Sequence, residues 1–123
     1  MSKTKELRRI IAGQLQKAPG GTYHRTAPND AAYPYKVFSL SSVSFTDARD
    51  DFLLDVDIWD HTLDPKDAEE IADQVEDLFA DANLPTPPLY PTFFRDARFT
   101  IDDPDKTMQH IQLRFLVQLY KEE

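Results

Sequence analysis

A chain of 123 residues with 41% apolar and 29% charged side chains has an ordinary globular composition, enough for one cored domain over 1–123 and without the bias that marks wholesale disorder. The absence of cysteine excludes disulfides, thiolate zinc sites and cysteine nucleophiles, and no apolar run approaches the length of a membrane span. The net charge of −8 argues against non-specific nucleic-acid binding but is unevenly spread: residues 1–36 carry seven basic and two acidic side chains, a net of +5, which leaves −13 on the rest. Two such ends can attract copies of the chain head to tail, or can simply be two solvated faces.

The first stretch, "MSKTKELRRIIAGQL", lacks the long apolar segment of a signal peptide, so a soluble protein kept in the cytoplasm is expected. Over residues 3–17, Leu7, Ile10, Ile11 and Leu15 recur at helical spacing while Lys5, Arg8, Arg9 and Lys17 fall elsewhere, which predicts a basic amphipathic helix stopped by "APGG". "TYHRTAP" fits a short strand closed by Pro28. In "YPYKVFSLSSVSF", Phe38 and Leu40 share one parity and Val43 and Phe45 the other, so a bulge or bend is expected near Ser41 and Ser42.

"DDFLLDVDIWD" has the period of two of a half-buried antiparallel strand: Phe52, Leu54, Val56 and Ile58 on one face, Leu53, Asp55, Asp57 and Trp59 on the other. A helix start follows, with Asp64 as N-cap and Pro65 in the first position. Its apolar stripe is Ala68, Ile71, Ala72, Val75, Leu78 and Phe79, its other face is almost wholly acidic, and its end is expected near Asn83. "NLPTPPLYPT" is too proline-rich for a helix or central strand and reads as an extended loop. The remainder reads as a β-hairpin turning at "DDPDK". Phe93, Ala97, Phe99 and Ile101 alternate on its first strand; Ile111, Leu113, Phe115, Val117 and Leu119 alternate on its second. The expected fold is therefore α+β in the order α-β-β-β-α-β-β, both helices packing on the apolar face of a mainly antiparallel sheet.

The densest chemical cluster is "DVDIWDH". Asp55 and Asp57 share a face, roughly 7 Å apart by the usual strand rise, but Asp60 has the opposite parity and His61 falls past the strand end. A straight strand does not wrap a cation as calcium, magnesium or zinc sites require. By the parity of the hairpin, Arg98 and Arg114 point to the same polar face, so cross-strand carboxylate–guanidinium pairs of about 0.2–1 kcal/mol each are expected. "DDPDKT" lacks the glycine and the glutamate of a calcium loop. His24, His61 and His110 lie on different elements, and no P-loop, nucleophile elbow or dinucleotide fingerprint occurs, so no cofactor is indicated. Trp59, Leu53 and Leu116 on polar faces suggest a sheet covered by another subunit, although scattered apolar residues also occur on free surfaces.

The succession "ELRRIIAGQL", "YHRTAPNDAAYPYKVFSL", "LLDVDIWDH", "PKDAEEIADQVEDLF" and "HIQLRFLVQLYK" resembles the tail terminator, or tail completion, proteins of long-tailed bacteriophages and prophages. The most recognisable elements are the proline-tyrosine start of "YPYKVF", a strand ending in tryptophan, and then a helix; "LPTPPLYP" departs from the pattern. The resemblance implies a non-enzymatic subunit of the virion tail or neck, assembled in the host cytoplasm. It implies a ring, commonly a hexamer, on the head-proximal end of the tail tube, with tail-tube protein and head–tail connector protein as partners and no membrane. DNA would pass through such a ring without specific binding, and Asp55, Asp57 and the acidic helix face are candidates for its lining. Arg8, Arg9, Asp55, Asp57, Trp59, Arg98 and Arg114 are the candidate assembly or channel residues. Two alternatives stay open: another connector or minor tail subunit, and a small metal-dependent or acid/base enzyme using Asp55, Asp57 and His61 or His110.

Overall fold

A computed structural model describes residues 3–45, 48–79 and 89–120, without the side chains of Ser44 and Phe45. Seven elements follow in order: α1 (Lys3–Leu15), β1 (Gly21–His24), β2 (Tyr35–Phe45), β3 (Arg49–His61), α2 (Lys66–Phe79), β4 (Thr92–Ile101) and β5 (Met108–Tyr120). This is the α-β-β-β-α-β-β order that the sequence periods predict. The expected helix end near Asn83 and most of the proline-rich stretch fall at residues 80–88, outside the described residues.

The strands form one five-stranded sheet in the order β1-β2-β3-β5-β4. β1 runs parallel to β2, and the other neighbours are antiparallel. Alternation along β3 and β5 divides the sheet into two faces. On one, Phe52, Leu54, Val56 and Ile58 join Ile111, Leu113, Phe115, Val117 and Leu119. Leu7, Ile11 and Leu15 of α1 and Ala68, Ile71, Ala72, Val75 and Phe79 of α2 close over them in a single cluster. α2 packs on β3, β5 and β4, and α1 packs beside it toward β1. The two helices meet where Gln14 Nε2 donates to the Leu78 carbonyl at 2.9 Å.

The predicted caps do their expected work. The Lys66 amide donates to Asp64 Oδ1 at 3.0 Å, which satisfies one of the free N–H groups at the start of α2. At the other helix, the turn after α1 places Gly20 at φ 89°, where a β-carbon would lie 2.6 Å from the Pro34 carbonyl oxygen, so only glycine fits. The carbonyls of Ala18, Pro19 and Gly20 in this turn all accept from Lys36 Nζ, at 3.1, 2.7 and 2.7 Å. Lys36 lies on the core face of β2 opposite Ile58 and is fully buried. The sequence reading did not anticipate a core lysine.

Two bulges shape β2 and β4. The one in β2 falls between Ser42 and Ser44, next to the expected position, and leaves Val43 exposed; Phe45, expected to share its parity, has its side chain outside the description. The second, between Arg95 and Ala97 in β4, overturns the simple alternation expected there. Phe93 sits opposite Val117 on the core face, but past the extra residue Ala97, Phe99 and Ile101 face away from the helices, opposite Arg114, Gln112 and His110. Arg98 moves the other way, opposite Leu113 and onto the side of α2. One inserted residue inverts every later side chain.

Candidate assembly surface

The sheet face turned away from the helices is covered by no described element. Its register arranges the side chains in rows across the strands. At one end lies Tyr35–Trp59–His110–Ile101, followed by Val37–Asp57–Gln112–Phe99, Ser39–Asp55–Arg114–Ala97, and Ser41–Leu53–Leu116–Phe94. The middle rows are polar and the outer rows apolar or aromatic.

The polar rows are internally satisfied. Arg114 Nε donates to Asp55 Oδ1 at 2.8 Å, the cross-strand pair the sequence predicts, and this carboxylate raises the guanidinium's pKa. Asp57 does not meet Arg98. Its Oδ1 lies 2.7 Å from His110 Nε2 and accepts from Gln112 Nε2 at 3.2 Å. The His110 ring stacks on Trp59 with centroids 3.7 Å apart and planes at 17°, so indole, imidazole and carboxylate form one connected unit. Tyr35 extends this aromatic end toward Tyr23 and Tyr33, at centroid distances of 5.9 and 5.2 Å. The opposite end is apolar: Leu53 faces Leu116, which faces Phe94.

Arg98 is the correction among the predicted residues. Because of the β4 bulge it leaves this face and pairs with Asp73 at 2.7 Å and with Glu76 of α2, while Arg95 joins Glu76 at 2.8 Å. The Asp73 and Glu76 carboxylates raise its pKa against the opposing effect of burial. Arg9 is exposed on α1, and Arg8 is half-buried on the side of α1 that faces β1 and β2. Arg9 pairs with Glu6 one turn earlier at 3.0 Å, and Arg8 Nη1 lies 3.4 Å from His24 Nδ1. The seven predicted residues therefore divide into three groups: Asp55, Asp57, Trp59 and Arg114 on the open face, Arg98 beneath α2, and Arg8 and Arg9 at the β1 side.

The arrangement offers little for catalysis or metal binding. Asp55, Asp57 and His110 are engaged across the strands, and His61 Nε2 lies 2.8 Å from Thr107 Oγ1 in the hairpin loop. Among the described residues, no three His, Asp or Glu side chains are grouped so as to hold a metal ion. The sequence reading missed His110, Tyr35, Phe94 and Phe99 as part of this face. Tyr35 and His110 were visible by parity with Trp59 once the strands are paired; Phe94 and Phe99 require the bulge.

One face of the sheet is buried under the two helices, and the other carries apolar and aromatic side chains at its two ends. No helix of the described residues is long and apolar enough to cross a membrane. No curated protein matches the chain. Among solved structures, a chain of the "Virion of native gene transfer agent (GTA) particle" superimposes with a TM-score of 0.67 over 96% of this chain and 91% of that one; at 15% identity this likeness shows a shared fold. Residues 5–119 match the family described as tail completion protein gp17, and the chain belongs to that family of structural virion tail proteins.

Proposed function

We propose that the chain is the tail terminator subunit. Copies of it form a ring, most simply a hexamer, on the head-proximal end of the tail tube, stop tube growth and present the surface that docks the head–tail connector protein. The observation that carries this reading is the open sheet face, with its Tyr35–Trp59–His110 end and its Leu53–Leu116–Phe94 end separated by a polar band that already satisfies itself. Apolar surface of this kind, flanked by paired polar groups, gains free energy when a neighbour excludes water from it, and it asks for no ligand to complete it. The same engagement supports a non-enzymatic role, because Asp55, Asp57 and His110 are tied to one another's strands rather than aimed into a cavity.

A net charge of −8 per subunit suits a ring through which DNA passes without adhering. Asp55 is compensated by Arg114, which makes it a weaker candidate for a channel lining than an unpaired carboxylate would be. The test is direct. Tail tubes mixed with the protein and imaged by negative stain are expected to carry rings at one end and to stop elongating when tube protein is added. Free, unaltered tubes that continue to grow would overturn the proposal, as would tight DNA binding by the assembled ring that persists at high salt.

A further inference from the structure

Beside the basic side of α1 is a pocket that the sheet face does not explain. A cavity of about 370 Å³ is lined by Thr4, Arg8, His24, Arg25, Ser39, Leu40 and Ser41. It opens where β1 ends at His24 and β2 runs on to Phe45 paired only with β3. A second cleft along the same helix is lined by Lys5, Arg8, Arg9, Thr22 and His24 among others. Arg8 Nε and Thr22 Oγ1 are both buried here with no hydrogen-bond partner among the described residues. These two atoms are closed to water, so the pocket's accessible polar groups are the remaining ones of its lining. Arg25 has φ 71°, and the Thr26 amide donates to the His24 carbonyl across it at 2.9 Å, the pattern of the rare, strained γ-turn. Strain in a non-glycine residue tends to persist where it aims a side chain at a partner. Burial lowers the His24 pKa, and the positive charges of Arg8 and Arg25 beside it lower it further.

Across the molecule, the outer side of α2 has the opposite character. Asp67, Glu69, Glu70 and Asp77 are exposed and make no ion pair among the described residues, in contrast to Asp73 and Glu76, which Arg95 and Arg98 neutralise. The basic pocket stands at the β1–β2 side of the sheet and α2 covers β3, β5 and β4. The two charges are therefore displaced sideways, so one copy's basic side can meet the acidic side of the next.

We propose that the Arg8–His24–Arg25 pocket is a carboxylate-recognition site filled by the acidic face of α2 from a second copy of this chain. The inference rests on the ring reading and gives it a subunit contact: each copy offers a pocket on one side and carboxylates on the other, so the contact propagates in one direction until it closes. It also removes the acidic helix face from the candidates for the channel lining.

The test is sedimentation equilibrium of the full chain. Wild-type protein at roughly 0.5 mM in low salt is expected to self-associate, and raising the salt to about 0.5 M is expected to weaken this at least tenfold. Arg8→Glu with Arg25→Glu, and separately Glu69→Lys with Glu70→Lys and Asp77→Lys, are each expected to abolish association. The second variant alters only exposed positions and so guards against a failure of folding in the first. Mixing the two variants is expected to restore association, because each reversed surface then faces its complement. A wild-type monomer under these conditions, salt-insensitive association, or a mixture that stays monomeric would overturn the proposal. Capped tubes together with charge-insensitive association would remove this contact and leave the terminator reading standing; salt-sensitive association with uncapped tubes would do the reverse.

Discussion

Lys36 shows how one side chain joins three segments. Its ammonium has three donors and meets three carbonyls in the turn after α1, so α1, β1 and β2 are held at one point inside the core. Replacing it with methionine keeps the volume but leaves those carbonyls without their donor, and the expected cost is about 1–3 kcal/mol in urea unfolding. Burial lowers the Lys36 pKa from 10.5 to about 8. Between those values the unfolded chain holds a proton that the folded chain has released, so stability from this group is full above 10.5 and is lost as pH falls through about 8. The wild type is therefore expected to gain stability relative to Lys36→Met as pH rises from 8 toward 10.5. Equal pH dependence of the two proteins would show that Lys36 does not titrate there. Lys36 shares the parity of Phe38 and Leu40, but a charged residue between Tyr35 and Val37 reads as the solvent-facing start of the strand until the pairing with Ile58 is known.

At the scale of elements, legibility depended on regularity. β3 and β5 alternate without interruption, so the core positions Leu54, Val56, Ile58, Leu113, Phe115 and Val117 and the outward Asp55, Asp57 and Arg114 were all readable from period alone. Helix α2 was readable from Asp64, Pro65 and its stripe for the same reason. β4 was not, because the bulge at Asp96 is a property of its pairing with β5 and leaves no composition signal. It follows that Phe99→Thr and Ile101→Thr, which retain β-branched or strand-compatible side chains on the open face, should each cost about 1 kcal/mol or less. Phe93→Ala, which empties a fully buried site against Phe79, should cost about 3–5 kcal/mol. Chemical denaturation of the three variants measures this directly. Equal, large losses at all three positions would mean that β4 follows simple alternation after all and that Arg98 belongs with Asp55.

For the whole molecule, the decisive question is whether the open face contributes binding or is merely wet. Its polar band cannot drive association strongly, since a neighbour that covers Asp55–Arg114 or Asp57–His110 meets half-buried groups that already satisfy one another and displaces the water that remains on them. The gain must come from the two ends. Trp59 and Phe94 represent them, one aromatic and stacked, the other opposite Leu116 with part of its ring in solvent. Trp59→Ala gives up stacking on His110, worth about 0.5–1.5 kcal/mol, and Phe94→Ser removes partly exposed surface, so both proteins should remain folded. If the face is a contact, each should lower capture of tail-tube ends by at least about tenfold, because aromatic anchors dominate such interfaces. A charge change in the polar band, Asp55→Asn, should leave capture within a few-fold of wild type. Undiminished capture by both aromatic variants would return the sheet face to solvent and leave the helix layer, with its basic and acidic sides, as the surface by which the subunit meets its neighbours.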